Sequence, residues 1–364
     1  MCWSGAMPAR RRRRSSETVG AHRDSAGFRV PFPIRSAMTT EPDIPLGRRV
    51  VLRYLLPAGY PQSMTDVIGE LISLDPPTVR AADGSVVSVA YDRVVALKAL
   101  GPRPIRTGEI RALESAAAYA WPGIEQAWID GWLVRAGHGY TRRANSAVPL
   151  GNSDGPAVLA AETVRRIGEW YGARGLPPQL ALPDRLAQTP PGWQAGEEVQ
   201  VLAIDIENFV LPQGPSMVRV APELDEAWLR LYRTQGGAVA AQEFSVPVEV
   251  IAAVHDGAVG FASLGLPEPI AVGRGAITTA SDGRRWIGLT CVAVSVDHRR
   301  RGLGTLVCAE LIRWGSKNGA THAYLQVESY NTGAIALYRD MGFLEHHTYR
   351  YATPDDAAAP AEIR

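Results

Sequence analysis

The sequence predicts an α/β protein made of two related strand-and-helix halves that follow a small all-β barrel. Three observations carry this. Between residues 48 and 100, short runs rich in β-branched residues alternate with tight turns. From residue 105 onward, strand-like runs alternate with helical periodicity. The two later halves also echo each other: Trp170 stands five residues before Gly175, as Trp314 stands five before Gly319, and each pair precedes a strand.

Composition narrows the function classes. A chain of 364 residues can hold two or three cores, and 46% hydrophobic and 21% charged residues are ordinary for a globular protein. A net charge of +1 gives no bulk attraction to nucleic acid or acidic membranes. No apolar stretch reaches the ~18 residues of a membrane span. Cys2, Cys291 and Cys308 are scattered rather than arranged as a disulfide framework, which fits a reducing cytoplasm. Arg10 to Arg14 lack a following hydrophobic segment, so they do not read as a secretory signal. The cytoplasm is the expected location.

Residues 1–45 mix Arg, Ser, Pro and Gly without periodicity and read as a disordered extension. The barrel, 46–103, takes its strands from Val50–Leu56, Asp66–Leu74, Thr78–Arg80, Val86–Val89 and Val94–Leu97, with Asp83-Gly84 as a hairpin turn. It looks SH3-like, and bracing a neighbour is its expected role. After the linker Gly101–Pro104 comes the first α/β half, 104–213: a helix over 109–120, strand-like stretches 126–136 and 139–148, a helix over 158–171, and strands 179–182 and 199–203. The second half, 214–352, opens with strand 217–221 and a helix over 224–234. Residues 250–276 allow two hairpins; pairing Phe261–Leu264 with Ile270–Ala276 across Pro267–Pro269 is preferred over pairing Val250–Val254 with Ala258–Ala262. Residues 353–364 read as a disordered tail.

The most informative segment is Arg299-Arg300-Arg301-Gly302-Leu303-Gly304-Thr305. It lies between the strand Trp286–Val294 and a helix with Leu303, Leu306, Val307, Leu311 and Trp314 on one face. A glycine turn that opens a helix presents unpaired N–H groups, reinforced by the helix dipole, and so forms a receptor for phosphate. Arginines there add charge where a pyrophosphate would rest. A strand at His322–Val327 follows, then Glu328–Asn331, a short helix with Ala334, Ile335, Leu337 and Tyr338, and Gly342-Phe343.

This order resembles the Gcn5-related N-acetyltransferases (GNAT family). The pattern R-x-x-G-x-G follows the fourth strand, and N-x-x-A-x-x-L-Y-x-x-x-G-F follows the fifth. The matching residues are Arg299, Gly302 and Gly304, then Asn331, Ala334, Leu337, Tyr338, Gly342 and Phe343. The resemblance covers about 215–352 and implies an α+β fold with a mixed central sheet whose fourth and fifth strands splay apart. The chain as a whole looks like a tandem GNAT protein with a degenerate first copy, because Gly151–Pro156 replaces the arginine-glycine turn there. This layout is similar to mycobacterial histone-type or protein acetyltransferases of the family.

The resemblance further implies acetyl-CoA as cosubstrate, with its pantetheine along Val292, Ala293 and Val294 and a main-chain N–H near Val292 polarising the thioester. Asn331 reads as a helix N-cap and as a contact to pantetheine or pyrophosphate. Tyr338 would protonate the departing sulfur, since a thiol near pKa ~8.5 and a phenol near ~10 are roughly matched. An amine of pKa ~10.4 costs about 4–5 kcal/mol to deprotonate at neutral pH, so a carboxylate should line the cleft. Glu328 is the leading candidate, although strand alternation could point it away; Asp282 and Glu243 are weaker. His346 and His347 are adjacent on a strand and should face opposite sides, and nothing calls for a metal. The acceptor is a primary amine: a lysine of a basic protein, or a small amine such as an amino sugar or aminoglycoside. Two other classes are a non-catalytic acyl-CoA sensor and nucleic-acid binding through Arg10–Arg14, although a direct nucleic-acid role is not expected.

Overall fold

A computed structural model of the chain describes residues 39–40, 44–101, 103–153, 155–213, 216–235 and 246–355. The basic run Arg10–Arg14 and Glu243 lie outside them. Contacts divide the chain at Arg103/Pro104 into two compact units.

The first unit is one six-stranded sheet with strands β1 (Thr39–Thr40), β2 (Arg49–Leu55), β3 (Met64–Leu74), β4 (Pro77–Ala81), β5 (Val86–Ser88) and β6 (Val94–Ala99), in the order β1-β6-β2-β3-β4-β5. Alternation puts Val50, Leu52, Val67, Leu71, Val79 and Leu97 into a single apolar core. Gly69 is required where β3 meets β4, because a Cβ there would lie 2.0 Å from the Arg80 carbonyl oxygen. One expectation needs correcting: the stretch 1–45 is not structureless throughout. Ile44 is a core residue, and Thr39–Thr40 pair in parallel with Ala96 and Leu97.

The second unit contains α1 (Thr107–Ala120), β7 (Glu125–Ile129), β8 (Trp132–Ala136), β9 (Val148–Pro149), α2 (Ala161–Gly172), β10 (Leu180–Pro183) and β11 (Trp193–Asp205) from the first half. The second half supplies β12 (Val218–Ala221), α3 (Glu226–Gln235), α4 (Val248–Ala252), β13 (Ala258–Leu264), β14 (Ala271–Thr279), β15 (Arg285–Val294), α5 (Leu303–Lys317), β16 (His322–Glu328), α6 (Thr332–Asp340) and β17 (Leu344–Pro354). β7, β8 and β9 form a small sheet; the rest make an eight-stranded sheet, β10-β17-β11-β16-β15-β14-β13-β12.

The halves share that large sheet. β11, from the first half, is inserted between β16 and β17 of the second, and β10 pairs with the far side of β17. β11 can occupy a central position because it is apolar on both faces: Val199 and Val201 enter the core on one side, Leu202 and Ile204 the core on the other. Helices α5 and α6 cover the latter face, with Val307, Leu311, Ile312 and Ile335 in its core. α1 packs over the opposite face near β14 and β15, and α3 and α4 add a third cluster there with Trp228, Val250 and Ile251. This exchange brings first-half side chains beside the strands that carry the motif.

Several local readings change. The stretch 126–136 is a hairpin rather than one strand: it turns at Asp130-Gly131, both at positive φ. Residues 139–148 are mostly loop with a short 3₁₀ turn at Arg143–Asn145, held by Asn145, whose side chain accepts from the N–H groups of Gly137 and Gly139. Val250–Val254 is not strand, because Pro247 opens α4 at that point. The preferred hairpin is the one observed, β13 with β14, starting at Ala258. Thr353 and Pro354 are not tail but the end of β17, paired with Gln194 and Trp193.

Candidate active site

β15 and β16 run in parallel and are paired only from Trp286↔His322 to Leu289↔Leu325. Beyond this, β15 stays with β14, as Ala293↔Val272 and Val294↔Ala271, while β16 stays with β11, as Gln326↔Val201 and Glu328↔Val199. A wedge therefore opens between Thr290–Val294 and Gln326–Glu328. A bulge starts it: Thr290 faces Arg274 and Ala293 faces Val272, leaving Cys291 and Val292 opposite Gly273 alone. Cys291 takes φ +54, so the strand bends here. Gly273 is needed beneath the bulge, since a Cβ would sit 2.6 Å from the Val307 side chain of α5.

Past Val294 the chain makes a 3₁₀ turn, Val296–His298, and enters the arginine-glycine segment. Arg299 Nε donates to the Val294 carbonyl at 3.2 Å, folding the segment back along its own strand. Arg300 and Gly302 both have positive φ, +62 and +74, and Gly302 is the residue from which α5 starts. Leu306 N–H donates to the Gly302 carbonyl at 3.1 Å. The N–H groups of Leu303, Gly304 and Thr305 thus belong to the first turn, which has no helical acceptor. Gly304 faces β15: a Cβ built there would touch Val292 and Val294 at 3.9 Å. Val292, Val294 and the turn thus lie side by side on the α5 face, while Ala293 and Cys291 pack into the cluster on the other.

Asn331 caps α6, its side-chain oxygen accepting from Ala334 N–H at 3.1 Å. Two turns further on, Tyr338 is half-buried, its ring edge-on to Phe343 at 6.1 Å and its hydroxyl against the Cys308 thiol of α5. Burial, then Cys308, raises the phenol well above its ordinary value, so it stays protonated across any physiological pH. Burial likewise pushes the Cys308 thiol up to about 12.

Glu328 lies on the opposite face of the sheet, with Gln326 and Val199. One of its oxygens pairs with Arg142, and Arg143 Nε donates to Gln326. The second Glu328 oxygen is buried and has no hydrogen-bond partner among the described residues. Desolvation raises the carboxyl above its ordinary 4.5, against the opposing pull of Arg142 and Arg143. Tyr338, packed among the α5 and α6 side chains, and Glu328 thus lie on opposite faces of the sheet.

Two sequence candidates do not join this site. Asp282 sits in the turn from β14 to β15, at the end of β15 away from Val294, where it accepts from Arg284. Glu243 is outside the described residues. The histidine expectation is also corrected. A register shift between Val201↔His347 and Leu202↔Glu345 leaves His346 as an extra residue, so the two rings meet, Nδ1 to Nδ1, at 2.8 Å instead of facing opposite sides. His347 is buried against Glu114 of α1 at 2.8 Å, and burial followed by His347 pulls His346 down to about 3. Sequence reasoning missed Arg142 and Arg143. An Arg-Arg pair beside Tyr140 is visible in the sequence, but no local rule joins residue 142 to one 186 positions away.

Comparison with known proteins supplies the family. Residues 107–352 match the model described as probable histone acetyltransferase Rv0428c, C-terminal, and 44–98 match its N-terminal Sm-like domain. The chain belongs to the Rv0428c family of GNAT N-acetyltransferases. It is 39% identical over 309 residues to the probable histone acetyltransferase Rv0428c of Mycobacterium tuberculosis, covering 84% of this chain and 94% of that protein. It is 28% identical to the uncharacterized N-acetyltransferase YobR of Bacillus subtilis, over 66% of this chain and 98% of the relative. A solved GCN5-related N-acetyltransferase from Kribbella flavida aligns with 68% of this chain and 96% of its own, at 20% identity and a TM-score of 0.47. This acetyltransferase therefore carries an all-β unit matching an Sm-like domain ahead of its acetyltransferase unit. Acetyl-CoA is the cosubstrate of its class. Among the described residues no helix is long and apolar enough to cross a membrane.

Proposed function

We propose that this acetyltransferase moves acetyl directly from acetyl-CoA to a primary amine across the wedge between β15 and β16. The observation that carries the reading is the alignment of three features: the bulged strand at Cys291–Val294, the turn at Arg299–Thr305, and Tyr338 against α5. The N–H groups of Leu303, Gly304 and Thr305, with Arg299, Arg300 and Arg301, take the diphosphate. The pantetheine lies along Val292, Ala293 and Val294 as an added strand, reaching Asn331 on the other side. A bulge N–H near Val292 stabilises the oxyanion. Glu328 removes the amine proton, and Tyr338 returns a proton to the leaving sulfur. A lysine of a basic protein is the acceptor suggested by the name of the mycobacterial relative; a small amine is the second reading, favoured by the arginines that line the acceptor face. Free, scattered Cys291 and Cys308 support a reducing cytoplasmic setting. Screening amines and basic peptides for CoA release tests the activity, and absence of release with all of them would overturn it.

Two variants probe the parts separately. Gly304→Asp puts a carboxylate beside Val292 and Val294, where the phosphates would bind, and should weaken acetyl-CoA binding at least tenfold in calorimetry; unchanged affinity would remove the turn from the cofactor site. A base works only when ionised, so the wild-type kcat/KM should fall as pH drops through the Glu328 pKa, which burial sets above its ordinary value. Glu328→Gln should abolish that acidic limb along with most of the rate. A limb that persists in the variant belongs to another group.

A further inference from the structure

The acceptor face holds one charge that the transfer chemistry leaves unused. Arg142 is committed, paired with Glu328 and lying 4.8 Å over the Tyr351 ring. Arg143 is different. Its hydrogen bond to β16 goes to the neutral Gln326, it stands 5.7 Å from the Trp121 ring, and it has no carboxylate within ion-pair distance among the described residues. Its charge is nevertheless felt at Cys291 on β15 and at Glu328 on β16, the two strands that have parted at this height. A half-buried guanidinium whose Nε is fixed still offers its remaining N–H groups as a planar fork, the geometry that grips carboxylate or phosphate.

A second observation lies two residues along the same strand face. The buried Glu328 oxygen, which accepts from no donor among the described residues, can accept from an ammonium hydrogen, since a desolvated carboxylate oxygen left unpaired is costly. Gln326 and Glu328 are separated by about 6.6 Å of strand. One face of the wedge thus presents a receptor for an amine and, a few bonds away, a receptor for an anion.

We infer that the acceptor is a primary amine whose own skeleton carries a carboxylate or phosphate within a few bonds, with the amine at Glu328 and the anion at Arg143. This rests on the acetyl-transfer reading and narrows its substrate class. Arg143 is then a specificity-determining residue contributed by the first half, and that half is retained because it reads the acceptor. A strongly cationic acceptor, such as a basic tail or an aminoglycoside, gains nothing at Arg143 and is repelled by it.

The test uses the full chain with acetyl-CoA and follows CoA release. β-Alanine, γ-aminobutyrate, δ-aminovalerate and aminopropylphosphonate are compared with neutral twins: the three carboxamides and propylamine. Carboxylate and phosphonate arms separate the two anion chemistries. In the wild type, at least one anionic amine should exceed its neutral twin by tenfold or more in kcat/KM, with the preference fading as salt is added. In Arg143→Gln the ratio should collapse toward one, and Arg143→Lys should restore part of it. Wild-type turnover that favours neutral amines or a lysine-rich peptide would overturn the inference while leaving acetyl transfer standing, as would a ratio unmoved in the Gln variant. No release with any amine would overturn both. The wild-type ratio and its salt dependence need no variant, so the inference stays falsifiable if Arg143→Gln folds poorly.

Discussion

Replacing Tyr338 with Phe should lower kcat by a factor on the order of 10² or more while leaving the acetyl-CoA dissociation constant within about twofold. The substitution removes one oxygen and keeps the ring that packs edge-on against Phe343, so the core of α6 survives. On the proposed mechanism it also removes the proton that would neutralise the leaving thiolate. Burial raises the phenol well above its ordinary value, so Tyr338 stays loaded and should produce no loss of rate on the alkaline side up to about pH 9. On the proposed mechanism a thiolate deprived of solvent in the same cleft would be a stronger base, which would keep the transfer feasible despite the raised phenol. Steady-state kinetics beside calorimetry separates the two effects. Equal turnover in Tyr338→Phe would reduce this residue to a packing role against Cys308 and Phe343.

The largest stability effect should come from Arg274. This side chain is fully buried, yet it meets no carboxylate among the described residues. Its Nε donates to the Ile251 carbonyl at 2.6 Å, and Nη2 donates to those of Ala253 and Ala120 at 2.7 and 2.9 Å, with the guanidinium 4.6 Å from the Trp121 ring. One cation thereby closes the end of α4 and the end of α1 onto β14, directly opposite the start of the bulge at Thr290. Burial pulls its pKa down to about 10, which leaves it charged at neutral pH. Arg274→Met fills similar space but strands two buried carbonyls and a partly buried one; at about 1–3 kcal/mol for each buried one, a loss of roughly 2–6 kcal/mol or more is expected. A denaturant midpoint measures it. Arg165→Ala, which breaks only exposed pairs with Glu162 and Glu169, should leave the midpoint nearly unchanged. A similar midpoint for both variants would mean the carbonyl clamp contributes little.

The sequence made the turn and the helices around it legible because they depend on local rules. Gly302 needs positive φ, α5 needs its apolar stripe, and Asn331 needs only the N–H three residues on. The strands of the first unit were readable for the same reason, as alternation and an Asp-Gly turn act within ten residues. The misread stretches are those where nearby chemistry is ambiguous. Residues 139–148 are apolar enough to resemble strand, but Asn145 ties them into a loop. Val250–Val254 fits strand or helix by composition, and Pro247 decides. The histidine pair depended on a bulge in β17, and a one-residue register shift is invisible until the partner strand is known.

By itself, then, the sequence determined most of the strands and helices, the glycine turn that opens α5, and which tyrosine follows it. Only the tertiary structure decided that β11 crosses into the second half's sheet, that β15 bulges away from β16, and that Arg142 and Arg143 stand at Glu328 and Gln326. The reason is range. A turn, a cap or a helix stripe is specified by residues within a few positions of one another. The face that carries Glu328 and Gln326 is assembled from segments nearly two hundred residues apart, and only the pairing of the whole sheet selects which side chains meet there.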